Sequence, residues 1–150
     1  MSDAADARPH PARPILAVSA AIIRDGHVLL VQRARAPAEG LFTLPGGKVE
    51  LGETLHDAVA REAREETGLQ IEPVALAGTR EVVQRGRDNR VERHFVILAF
   101  AARWLAGEPV LNAELAEARW LRPSEIRTLR TTEGLAEIVA AAFERMEQAG

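Results

Sequence analysis

Residues Gly46 to Leu69, GGKVELGETLHDAVAREAREETGL, decide how this chain is read. Glu62, Glu65 and Glu66 are spaced i, i+3, i+4, which on a helix places them on one face. Three carboxylates in one patch repel each other and destabilise a bare helix. A cation between them removes that cost. Hard cations such as Mg2+ take oxygen ligands and sit between carboxylates and substrate phosphates. The commoner fate of such a cluster is a solvated, charged helix face. Here the helix follows a glycine turn, Pro45-Gly46-Gly47, and Arg61 and Glu53 stand ready to offset part of the charge.

The limits of the helix are also written locally. Thr54 reads as the N-cap, with Asp57 three residues on acting as in a capping box. Leu55, Ala58, Val59 and Ala63 form an inward stripe, and Gly68 suits the C′ position. The segment therefore reads as loop, helix, loop, with its carboxylates toward the helix C-terminus. The helix dipole disfavours anions there, a second reason to expect a cation.

Gly47 is followed after five residues by Glu53, and seven residues later come Arg61-Glu62, Glu65-Glu66 and Gly68-Leu69. This arrangement resembles the Nudix signature, G-x5-E-x7-R-E-U-x-E-E-x-G-U, where U is a bulky apolar residue. All the fixed Gly, Glu and Arg positions match; Ala63 is small where Ile or Leu is usual. Chance rarely matches so many fixed identities at set spacing. The resemblance implies the Nudix fold, α/β (α+β) with a mixed β-sheet sandwiched between helices. It also implies a metal-dependent hydrolase of nucleoside diphosphates linked to another group. Glu65 and Glu66 would be the main metal ligands, Glu62 a further ligand or an orienting group, and the Gly46 carbonyl an extra ligand. The cofactor implied is Mg2+, with Mn2+ as a substitute. Arg61 would pair with Glu53 or Glu62 and hold the geometry. The base that activates water stays open. Glu114, six residues before Trp120, occupies a position similar to a loop glutamate that serves in some members. Glu117 is its competitor, and Glu65 is a third choice. An ordinary solvated loop acid is the plain reading of Glu114.

Outside the signature, VLLVQRARAPAEGLFTLPGGKVELGET and HFVILAFAARWLAGEPV…EARWL are similar to bacterial Nudix proteins grouped as ADP-ribose pyrophosphatase-like. The likeness runs from about Val18 to Ser124. It implies ADP-ribose or a related ADP-sugar as substrate, with AMP and ribose 5-phosphate as products. The runner-up is a nucleoside triphosphate pyrophosphohydrolase clearing oxidised or noncanonical nucleotides. A non-catalytic nucleotide sensor is the reading from another class, and the intact Glu62, Glu65 and Glu66 argue against it. RNA cap removal is weaker still. Family analogy also suggests a homodimer.

Composition narrows the partners. The chain has 150 residues, enough for one domain with a real core. A formal net charge of -3 gives no electrostatic case for nucleic-acid binding. There is no cysteine, which excludes disulfides, thiol nucleophiles and zinc-thiolate sites. No apolar run is long enough to span a bilayer and no signal-peptide pattern opens the chain, so the expected compartment is the cytoplasm.

Residues 1 to 13 read as a disordered tail with His10 exposed, and residues 14 to 150 as a single domain. Two apolar runs around Asp25-Gly26 read as a β-hairpin. Ala34 to Gly40 is a loop and Leu41 to Pro45 a short strand. Glu72 to Gln84 and Val91 to Trp104 are long strands, and Arg119 to Leu121 a short one. Pro123 opens a short helix, and Thr132 to Gln148 is an amphipathic helix with Leu135, Ile138, Val139, Ala142 and Phe143 inward. Other residues have plain roles: His56 exposed, His94 half-buried in a strand, Trp104, Trp120 and Phe42 in or beside the core. Most arginines from Arg80 to Arg93 read as solvated loop charges, although they could reach a substrate phosphate or ribose.

Overall fold

The computed structural model describes residues 10–150. Strand β1 (Ile15–Arg24) lies at the centre of a seven-stranded mixed sheet. Its sequence, ILAVSAAIIR, is almost continuously apolar, as expected of a strand covered on both faces. It pairs antiparallel with β2 (His27–Arg33) and parallel with β6 (Val91–Ala106), from Ile15 opposite Phe95 to Ile23 opposite Arg103. The β1–β2 turn is the expected hairpin. Asp25 (φ 49°) and Gly26 (φ 75°) are both left-handed, as a two-residue type I′ turn requires. Strand β5 (Gln70–Arg85) continues the sheet beyond β6. On the other side β2 pairs with β3 (Phe42–Thr43) and β7 (Leu115–Leu121).

Two helices cover opposite faces. Helix α1 (Leu55–Thr67) buries Ala58, Val59 and Ala63 with Val18, Ala20, Ile22, Leu29 and Phe100. Ala63, 1% exposed, is the small residue at the signature's apolar position, and it faces the sheet as a bulkier side chain would. Helix α2 (Leu135–Ala149) buries Leu135, Val139 and Ala142 with Ala21, Val28, Leu30, Phe42 and Ala99. The arrangement is the expected mixed sheet between helices. No described helix is long and apolar enough to cross a membrane.

Four local expectations change. Gly46–Lys48 forms a strand, β4, rather than only a turn, with Gly46 opposite Ser19 and Gly47 opposite Val18. A Cβ on Gly46 would collide with the Val18 carbonyl, so glycine here permits close approach of two backbones. Helix α2 starts three residues later than the periodicity suggests. The backbone ahead of it is engaged with Phe42, whose amide donates to the Arg130 carbonyl and whose carbonyl accepts from Thr132. Strand β7 is longer than Arg119–Leu121 because its pairing with β2 extends to Leu115. Of the expected tail, residues 1 to 9 lie outside those described. His10 is half-buried rather than exposed, its Nδ1 donating to the Val91 carbonyl at 3.3 Å.

Candidate functional site

The site is assembled by the two ends of α1 against β4. At the N-terminus, the Thr54 hydroxyl accepts from the Asp57 amide at 3.1 Å, as an N-cap does. At the C-terminus, Gly68 takes a left-handed conformation (φ 81°) and its amide donates to the Arg64 carbonyl. Leu69 behind it is fully buried.

Between the caps, Arg61 is the hub. It grips Glu53 with two parallel bonds, Nε to Oε2 at 2.6 Å and Nη2 to Oε1 at 2.9 Å. The same guanidinium donates to Glu62 and Glu65, each at 3.0 Å, and to the Lys48 carbonyl at 2.9 Å. Sequence left Glu53 and Glu62 as alternative partners of Arg61; it holds both. The hydrogen bond from Arg61 pulls the Glu53 pKa down to about 2, and the Arg61 pKa is raised in turn, chiefly by Glu53. Gly47 has its own reason to be glycine, since a Cβ there would overlap the Glu62 carboxylate.

Glu66 sits differently. Burial raises its pKa to about 7, against the lowering effect of the Gly46 amide, which donates to its Oε2 at 3.2 Å. Glu62 and Glu114 add repulsion, and Arg33 opposes it. Burial likewise raises the pKa of Glu62, with Arg61 acting the other way. Glu114 lies on the loop before β7. Its amide donates to the Asn112 side-chain oxygen at 2.8 Å, and the Asn112 amide group reaches the Glu66 carbonyl at 3.4 Å. Glu117 is in β7 and pairs with Arg119 at 3.3 Å.

Among the described residues, no three acidic or histidine side chains converge closely enough to hold an ion as they stand. Arg61 draws Glu62 and Glu65 toward itself. The donor set nevertheless suits a hard divalent cation, being carboxylate and carbonyl oxygens around two acids whose burial disfavours their charge. Glu65 is 58% exposed, so turning it away from Arg61 gives up a surface ion pair worth about 0–1 kcal/mol.

Gly46 and Gly47 also line a cleft of about 620 Å³ on the α2 side of the sheet, shared with Arg33, Arg80, Arg93 and Phe95. Two of the arginines read as solvated thus border a concavity. Arg33 and Asn112 escaped sequence reasoning altogether. Arg33 stands beside Glu66 only because β2 runs between β1 and β3, and the loop carrying Asn112 is fixed by the Val110 amide donating to the Thr67 carbonyl. Neither residue has a local pattern to mark it. The other tempting residues have structural surroundings. His56 is exposed, edge-on to Phe100. His94 is half-buried, in register with Val83. Arg24 stacks over Trp104 at 3.9 Å, and Trp120 packs against the α1-side core.

A mixed sheet between helices, with an acidic loop–helix–loop beside a cleft lined by arginines, defines an α+β domain. Residues 13–142 match the NUDIX domain, and the chain belongs to that family. It is 36% identical over 107 residues to the ADP-ribose pyrophosphatase of Methanocaldococcus jannaschii, a match that covers 71% of this chain and 61% of that protein. It is 37% identical over 117 residues to a Mycobacterium tuberculosis protein with the provisional name 8-oxo-dGTP diphosphatase 2, covering 71% of this chain and 79% of that one. Among solved structures, the MutT NUDIX hydrolase of Burkholderia pseudomallei superposes with a TM-score of 0.75 at 29% identity, covering 86% of this chain and 98% of that one.

Proposed function

We propose that this protein is a divalent-cation-dependent pyrophosphohydrolase of nucleoside diphosphates linked to a second group, acting on ADP-ribose or a related ADP-sugar. The observation that carries this reading is the pair of half-buried, charge-frustrated carboxylates, Glu62 and Glu66, beside Gly47 and Gly46 at the edge of the cleft. Glu62, Glu65, Glu66 and the Gly46 carbonyl would hold the cation. Bound there, Mg2+ would offset phosphate charge and acidify a water. The chain's own residues do the rest. Arg61 fixes the carboxylates by holding Glu53, Glu62 and Glu65 together. Arg33, on the cleft wall beside Glu66, draws in a phosphate oxygen. Glu114 is the favoured base among the three acids named, because its charge is felt at Glu66 whereas Glu117 is paired with Arg119. The choice of ADP-ribose is supported by the similarity to the archaeal ADP-ribose pyrophosphatase. The mycobacterial relative supports a second reading, pyrophosphate release from an oxidised nucleoside triphosphate.

A substrate panel with Mg2+ and an EDTA control tests both. AMP and ribose 5-phosphate from ADP-ribose, at the highest kcat/KM of the panel, is the expected outcome. Preferential release of pyrophosphate from a triphosphate would replace this reading with the second. We further propose a homodimer, which sedimentation as a monomer at micromolar concentration would overturn.

A further inference from the structure

The outer half of the cleft carries charge that pyrophosphate cleavage leaves unused. Three arginines, Arg33, Arg80 and Arg93, line the cleft against one carboxylate, Glu133, in a chain of formal net charge -3. Arg33 lies near Glu66 and belongs with the scissile phosphates. The other two stand further out. Ser19 pairs with Gly46 on one side and Ala99 on the other, so the Glu66 end of the cleft is level with Ala99. Arg80 is opposite Ile97, and Arg93 is opposite Gln84. Along β6 these positions are two and six residues from Ala99, about 7 Å and about 20 Å at the rise of a strand.

Neither Arg80 nor Arg93 makes a side-chain hydrogen bond or ion pair with any described residue. An unpaired arginine is ordinary on open surface, but these two border a strip floored by Val82, Phe95 and Ile97. An apolar, aromatic floor receives the flat face of a base. Guanidinium groups beside it match the oxygens of a phosphate bidentately. A plain adenosine would cover the floor and leave both cations without a counter-charge.

We infer that this outer cleft is an anion subsite, and that the preferred form of the proposed ADP-sugar substrate carries a phosphomonoester on the 2′- or 3′-oxygen of its adenosine ribose, in addition to the pyrophosphate that is cleaved. The inference rests on the cleft being the nucleotide site of the proposed pyrophosphohydrolase. Arg80, level with Ile97, stands where the ribose lies and holds that second phosphate while the base lies on Phe95, and Arg93 adds positive charge from beyond the base.

Calorimetric titration in EDTA reads binding without turnover. The probes are AMP, adenosine 2′,5′-bisphosphate and adenosine 3′,5′-bisphosphate, each against the wild type and the Arg80→Gln/Arg93→Gln double variant. At least one bisphosphate should bind about tenfold more tightly than AMP. That preference should vanish in the double variant and shrink as salt is raised in the wild type. Equal affinities, no binding of either bisphosphate, a preference that survives the double substitution, or one indifferent to salt would each overturn the subsite; the salt arm needs no variant to fold. A chain that prefers the bisphosphate yet hydrolyses no member of the substrate panel would retire the pyrophosphohydrolase reading and keep the subsite. Hydrolysis with equal binding would do the reverse.

Discussion

Glu53 and Glu66 come from the same signature, yet the two ends of that signature have opposite electrostatics. At the first end, Glu53 is locked into a fork with Arg61 and its charge is favoured. At the second, Glu66 is half-buried, receives one backbone amide and feels Glu62 and Glu114, and its charge is disfavoured. The first end is electrostatically complete within the chain. The second is completed only by something positive from outside. Charges answered inside the molecule hold shape; charges left unanswered mark where a ligand goes. Arg80 and Arg93 follow the same logic with the sign reversed.

The strongest way to break the contrast is Glu66→Gln. The proposed ligand set predicts a fall in kcat/KM of roughly a hundredfold or more, about 2.7 kcal/mol of transition-state stabilisation. Stability should not fall with it. The folded pKa of Glu66, about 7, lies above the unfolded value of 4.5, so ionising it costs stability progressively as pH rises from 4.5 to 7. Metal-free at pH 8, the variant should therefore melt no lower than the wild type. Near-normal turnover would remove Glu66 from the metal site.

Arg61→Ala attacks the complete end. It leaves Glu53, Glu62 and Glu65 without their shared partner. With hydrogen bonds to charged groups at stake, a loss of about 2 kcal/mol in urea unfolding is expected. Activity should drop as well, since two of the freed acids are proposed ligands. A stability change under 0.5 kcal/mol, the size of an ordinary surface substitution, would show that the hub does not hold the segment.

What the sequence made legible was local. The Asp25-Gly26 hairpin, the Thr54 and Gly68 caps and the inward face of α1 depend on residues a few positions apart, and all three are present. Arg61 lies within eight residues of each of its acids, so their pairing is legible from local spacing. What stayed hidden depends on pairing across the sheet. Gly46 and Gly47 read as a turn because nothing in Pro-Gly-Gly announces that β1 will lie against them. Arg33 acts on the Glu66 charge from β2, a strand far ahead of it in the chain, and Asn112 bonds to a residue 46 positions away. Composition alone places His10 in solvent, whereas its partner, Val91, is 81 residues away.

Acid titration sharpens the comparison without touching the cleft. The folded pKa of Glu53, about 2, is below the unfolded 4.5, so its contribution is present above pH 4.5 and lost as pH falls toward 2. The stability advantage of the wild type over Glu53→Gln should shrink across that window. An advantage that stays constant would mean that the Arg61 fork does not depend on the Glu53 charge.

The smallest expected effect is the cleanest separation of shape from chemistry. Thr54 is exposed, and its hydroxyl accepts one amide hydrogen bond at the start of α1, from Asp57. Thr54→Ala removes that acceptor and should cost about 1 kcal/mol of stability, while Thr54→Asn, which can still cap, should restore most of it. Neither variant alters a carboxylate, Arg61 or the cleft lining, so kcat/KM should stay at the wild-type value under conditions where the protein is fully folded. If it fell in Thr54→Ala and recovered in Thr54→Asn, the position of Glu66 would depend on how tightly the opposite end of the helix is wound. The two ends would then act as one mechanical unit, and the closed end would no longer be independent of the open one.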